Sequence, residues 1–207
     1  MNWATGQVTD VSLTGNTGQL IGMSTSTSPV EGVIGQGLSF NGVNNSINLG
    51  NTASLQFSSS WSAGGWVKVT GPAGITHAIL SKGTSSSGGA GFHLNYQYSE
   101  KKFYIYYYVV GTAAIQNKFF TSTANPNAWH HVYATYDGSS IFLYLNGRLD
   151  ASVNIGVFNP NSSANLRIGA ISGNSAWWLQ GQADEVRVYN RALSAAEVYE
   201  LYRSGKR

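Results

Sequence analysis

The chain of 207 residues carries a formal charge of +3, with 10% charged residues, 13% aromatic residues and no cysteine. The absence of cysteine excludes a disulfide framework and thiolate metal sites, and low charge with plentiful Gly, Ser, Thr and Asn suits short strands and polar turns. A chain of this length buries roughly 70% of the surface its unfolded state exposes, so a single domain over residues 1–207 is expected.

Residues 2–31 are polar, and only 8–13 and 19–23 read as short strands. Clearer strands are expected at 38–40, 46–49, 61–69, 78–82, 91–98, 102–110, 117–121, 129–136, 140–146, 148–153, 165–168 and 182–189. Turn residues fall between them at short intervals, the pattern of a sandwich. Asp137-Gly138 and Asn146-Gly147 supply the positive φ that tight hairpins need. The loop at 83–89, made entirely of Gly, Ser and Thr, is expected to be mobile. A helix follows Ser194, which forms a capping box with Glu197, with Leu193 and Val198 as a hydrophobic staple and Val198, Leu201 and Tyr202 as one apolar stripe.

The block from Trp129-His130-His131-Val132 through Tyr136-Asp137-Gly138 to Leu145-Asn146-Gly147, followed by Gly181 to Ser194 with Asp184-Glu185-Val186-Arg187, resembles the laminin G-like jelly rolls of the concanavalin A-like lectin/glucanase superfamily. Gly37 to Val43 and the strand at 61–69 agree with it, so the resemblance runs over about residues 15–205. It implies an all-β, two-sheet antiparallel β-sandwich of jelly-roll topology with one short C-terminal helix. The W-x-F-D-like first strand of such domains has no counterpart here beyond Trp3, so the first sheet edge is expected to be unpaired and open to self-association.

A hydrolytic jelly roll needs two convergent carboxylates, and no strand carries an E-x-D-x-E pattern. Asp184 and Glu185 are adjacent and so are expected on opposite faces of a strand. His77, His93, His130 and His131 have no zinc-ligand spacing, and the His130/His131 pair reads as structural. The resemblance implies a calcium site from Asn41, Asn44 or Asn45, and Asp184. Because amides stand where the family pattern has loop carboxylates, such a site is expected to be weak and structural, and the same asparagines also suit Asx-turns.

The run Phe103 to Val110 alternates so that Tyr104, Tyr106 and Tyr108 share one face, with Asn95 of the preceding strand beside them. These residues and Trp177 are the candidate glycan contacts, since flat rings with polar tips suit pyranoses. The same tyrosines also fit an ordinary sheet, and Trp177 also fits a cover over a sheet edge.

The basic doublet Lys101-Lys102 reads as a solvated turn, and no apolar run reaches the roughly 20 residues of a membrane span, so neither nucleic acid nor membrane insertion is expected. No signal peptide is present, so an exported protein is expected to appear here as a mature or excised piece. The first reading is a non-catalytic carbohydrate-binding or adhesion module of a larger extracellular or cell-surface protein. The alternative is a structural or protein-interaction domain of a surface fibre or multidomain protein without a glycan site, and a glycoside hydrolase or lyase stands third.

Overall fold

The computed structural model describes residues 6–12, 14–57, 59–72, 75–84, 91–108, 115–160, 163–172 and 177–206. In chain order the strands are β1 (Gln7–Val8), β2 (Gly18–Ile21), β3 (Pro29–Glu31), β4 (Gln36–Asn41), β5 (Ser46–Gly50), β6 (Trp61–Val69) and β7 (Thr76–Lys82). There follow β8 (Phe92–Gln97), β9 (Lys102–Tyr108), β10 (Ile115–Phe119), β11 (His130–Tyr136), β12 (Ser140–Leu145), β13 (Arg148–Asn154), β14 (Leu166–Ile168) and β15 (Gln180–Tyr189), before the helix α1 (Ala195–Ser204).

Two antiparallel sheets result. The eight-stranded sheet runs β1-β2-β5-β14-β7-β8-β9-β10 and the seven-stranded sheet β13-β12-β11-β6-β15-β4-β3. Alternation decides which side chains meet between them. On β6, Trp61, Ala63, Val67 and Val69 enter the core, on β11 Val132, Ala134 and Tyr136, and on β9 Phe103, Ile105 and Tyr107. This two-layer β-sandwich is the expected fold.

The hairpin between β12 and β13 turns on Asn146 (φ 51°) and Gly147 (φ 78°), the paired positive φ of a type I′ turn. At the β11–β12 turn, Asp137 Oδ1 accepts from the N–H groups of Ser139 and Ser140 at 2.9 and 2.8 Å. The helix begins with the expected capping box: Ser194 Oγ accepts from Glu197 N, and Glu197 Oε2 accepts from Ser194 N at 2.8 Å. Leu193 and Val198 then bury together with Tyr133 and Tyr144, so α1 lies on the outer face of the seven-stranded sheet. Trp66 and Tyr202 stack across this contact at 5.5 Å.

Two expectations at the N-terminal end need correction. The strand expected at 8–13 shortens to Gln7–Val8, because the Asp10 carboxylate gathers the N–H groups of Ser12 and Asn16 at 2.8 and 2.7 Å and turns the chain. That short strand pairs with β2 through Gln7↔Gln19 and Val8↔Gly18, so the edge expected to be bare is lined there by the chain's own residues. The strand β3, not expected from sequence, pairs with β4 and starts at Pro29, a position where the missing N–H costs no ladder bond. Trp3 and most of the loop at 83–89 lie outside the described residues.

Candidate functional site

The outer face of the eight-stranded sheet holds the residues that alternation pointed to. Tyr104, Tyr106 and Tyr108 do share one face of β9, opposite the core-facing Phe103, Ile105 and Tyr107. They are not an exposed platform, however: their exposures are 4%, 6% and 6%. The rings consume one another's surface. Tyr106 meets Tyr108 edge-on at 5.6 Å, Trp177 at 6.2 Å and His93 at 5.0 Å, while Tyr104 stacks on Phe119 at 4.9 Å. The Tyr108 hydroxyl donates to the Thr84 carbonyl at 2.7 Å, and burial pushes the Tyr104 and Tyr108 hydroxyls above the usual phenol range.

Asn95 is also corrected from an accessible contact to a wholly buried side chain, packed between strands at the register pair Asn95↔Tyr104. Among the described residues neither atom of its amide makes a hydrogen bond of ordinary geometry, nor does either ring nitrogen of the equally buried His93. Burial holds His93 neutral, down at about 4. Trp177 is half-buried, and its carbonyl accepts from Ala78 N at 2.8 Å. Its φ of 66° lies in the left-handed region that bulky residues avoid, at a cost on the order of 1 kcal/mol.

The metal positions implied by the resemblance are not brought together. Asn41 Oδ1 accepts from Val43, Asn44 and Asn45 N–H groups at 2.9, 3.1 and 3.2 Å, which makes it the Asx-turn cap of the β4–β5 connection. Asn44 Oδ1 accepts from Asn41 Nδ2 at 2.8 Å, Asn45 Oδ1 accepts from Asn41 N at 3.0 Å, and Asn45 Nδ2 donates to the Gly22 carbonyl. Asp184 sits elsewhere. Asn41 pairs with Gln180, so Asp184 lies about 13 Å further along β15 at the usual rise per residue. There its carboxylate accepts from Ile34 N and Glu185 N, both at 2.8 Å, and burial pushes it up against the lowering effect of those bonds. Among the described residues no group of three or more His, Cys, Asp or Glu converges on a metal position.

A bulge between Asp184 and Arg187 breaks the strict alternation expected of β15: Glu185 has φ 49°, Val186 packs on the core, and Glu185 pairs with Arg187 at 2.5 Å. Most of the other acids are tied up too. Asp10, Asp137 and Asp150 collect loop N–H groups, Glu197 caps α1 and pairs with Arg191, and Glu200 meets Arg203. His130 is half-buried with Nε2 at 2.9 Å from the Asn125 carbonyl, the structural role expected for one of the histidine pair. Its neighbour His131 packs between Trp66, Tyr133 and Tyr202 under α1, where burial, and then the Arg187 charge, lower it to about 4.

Sequence reasoning missed the other half of the same face. Register aligns Gln19, Asn48, Arg167, Ser81, His93 and Tyr106 in one cross-strand row over β2, β5, β14, β7, β8 and β9. The tyrosine end is buried; at the other end Gln19 is exposed and Asn48 and Arg167 are half-buried. With strands about 4.8 Å apart, the accessible stretch from Gln19 to Arg167 spans roughly 10 Å, the length of about two sugar rings. The arginine's direction was readable, since Leu166 and Ile168 on either side of it are core residues. Its neighbours were not, because β5, β7 and β14 are distant in sequence and a register shift falls between Leu166 and Arg167.

Comparison with solved structures places this fold beside several binding domains. The binding domain of a paraclostridial mosquitocidal protein superposes with a TM-score of 0.73 at 19% identity, over 97% of this chain and 50% of that one, so the chain spans half of that domain's length. Domain 4 of an extracellular arabinanase from Geobacillus stearothermophilus, in complex with arabinotriose, gives 0.66 at 20% identity over 84% and 80%. The CBM40 of a Ruminococcus gnavus sialidase, bound to α2,3 sialyllactose, gives 0.67 at 17% identity over 80% and 96%. At these identities the likeness is one of fold. No curated protein matches the sequence significantly. A laminin G family profile matches residues 41–199, most of the chain, and this protein therefore belongs to the concanavalin A-like lectin/glucanases superfamily.

Proposed function

We propose that the chain is a non-catalytic carbohydrate-binding module that takes its glycan on the outer face of the eight-stranded sheet, across Gln19, Asn48 and Arg167. The observation that carries this is the cross-strand row itself: polar side chains in register, half-open at one end and backed at the other by packed aromatics. Amides and a guanidinium at strand spacing match the hydroxyl spacing of a sugar chain, and a rigid sheet holds them without an ordering cost on binding. Asn48 illustrates this: its Oδ1 accepts from Gly50 N at 3.1 Å, which fixes the amide, and its Nδ2 has no bond among the described residues. The fold-mates solved in complex with arabinotriose and bound to sialyllactose support the reading.

Tyr104, Tyr106, Tyr108 and Asn95 close the far end of the same face beside the site, with Trp177 packed against the tyrosines. The commitment of most carboxylates to loops, caps and arginines speaks for binding over hydrolysis. An extracellular or surface setting and a role in adhesion follow from this reading. Among the described residues no helix is long and apolar enough to cross a membrane.

The burial of the three tyrosines favours a second reading, a structural or protein-interaction domain with no glycan site. A glycan-array screen followed by calorimetry on wild type and Asn48→Ala separates the two. The glycan reading expects binding that weakens about tenfold in the variant at unchanged thermal midpoint. No binding to any glycan supports the second.

A further inference from the structure

The described arginines divide sharply. Arg187, Arg191 and Arg203 each pair with a glutamate at 2.5, 2.6 and 3.2 Å, and Arg148 is exposed to solvent. Arg167 differs from all four. It is half-buried on the outer face, its Nε is shielded from solvent without a hydrogen-bond partner, and it makes no ion pair among the described residues. A guanidinium stays charged under all ordinary conditions, and a half-buried one with a solvent-shielded, unpartnered Nε–H and no counter-charge is suited to an anionic partner.

Among the described residues its row offers no such partner. Along the row its neighbours are Gln19, Asn48, Ser81 and His93, none of them acidic, and Ser81 Oγ already donates to the Ala170 carbonyl at 2.7 Å. Register shifts lie beside Arg167 on β14 and between Ala78 and Leu80 on β7, irregularities of the kind that re-aim side chains at sites. His93 and Asn95, both wholly buried, keep the far side of this patch polar and uncharged. A single forked cation among amides and a neutral imidazole matches a planar two-oxygen anion on an otherwise hydroxylated ligand.

Resting on the glycan reading above, we infer that Arg167 is a specificity determinant for acidic sugars, and that its guanidinium holds the carboxylate of a uronic or nonulosonic acid residue while Asn48 and Gln19 meet the adjoining hydroxyls. A bidentate Arg–carboxylate contact in a partly dry setting discriminates by between about ten- and a hundredfold against the uncharged analogue.

The test is calorimetry with two matched pairs, trigalacturonate against its methyl ester and sialyllactose against lactose, on wild type, R167Q and R167K, with thermal midpoints alongside. The inference expects at least one carboxylated probe to bind about tenfold or more tighter than its uncharged mate, with that preference abolished in R167Q and reduced in R167K, whose ammonium lacks the fork. Which pair responds identifies the acid class. Equal binding within both pairs, or a preference that survives R167Q, overturns the inference and leaves the glycan reading standing. If no probe binds and a neutral glycan array is also blank, the glycan reading falls and takes the inference with it. Should R167Q fail to fold, R167K alone decides, since an undiminished preference there contradicts a forked contact.

Discussion

Trp61 and Phe92 stack face to face between the two sheets, with ring centroids 3.7 Å apart and planes within 6°. One comes from β6 and the other from β8, and both are fully buried, so the pair ties the layers together at the centre of the core. Trp61→Ala removes the largest buried ring from this contact and is expected to cost about 3–5 kcal/mol. Chemical unfolding of the variant checks this, and a loss below about 1 kcal/mol contradicts a central role for the stack.

Tyr106 supports the face without being its contact surface. At 6% exposure, in contact with Tyr108, Trp177 and His93, its truncation leaves a cavity, so Tyr106→Ala is expected to lower stability by about 2–4 kcal/mol. Urea denaturation measures it. Unchanged stability combined with lost glycan affinity would restore the exposed-platform idea.

Acid should weaken the fold through its buried histidines. Burial lowers His93 and His131 from 6.5 to about 4, so between those values the unfolded chain binds more protons than the folded one. The stability from keeping both rings neutral is therefore complete above pH 6.5 and declines as pH falls toward 4, by on the order of 1–3 kcal/mol per histidine. Unfolding midpoints across this window check the sign, and His131→Gln should flatten the decline. A midpoint independent of pH there contradicts the burial of neutral imidazoles.

Calcium should leave the fold unmoved. The Asn41–Asn45 turn spends its amide oxygens on its own N–H groups, and Asp184 serves Ile34 and Glu185 some distance away. Thermal midpoints in millimolar calcium and in chelator are expected to coincide, because only a ligand that binds the folded state raises them. A rise with calcium contradicts this reading of the turn.

Much of the fold was legible because its signals are local. Period-two alternation placed Phe103 to Tyr108 on their correct faces, Asn146-Gly147 marked a hairpin, and the Ser194–Glu197 box set the helix start. The site was less legible because it is made by register. Whether Tyr106 meets solvent depends on what lies over it, and Trp177 is 71 residues away in sequence. Arg167 enters the row only through the pairing of β14 with β5 and β7, which no local pattern encodes. Asp184 was assigned by motif to the Asn41 loop, while pairing with β4 carries it to the Ile34 loop instead.

Mapping a bound glycan by amide chemical-shift changes tests the central claim most directly. The account predicts that the perturbed residues cluster on β2, β5 and β14 around Gln19, Asn48 and Arg167, the open end of the cross-strand row. Perturbations confined to another surface, such as the cleft of about 320 Å³ lined by Ser24, Thr27, Ser39 and Asn41, or to the outer face of the seven-stranded sheet under α1, would contradict it.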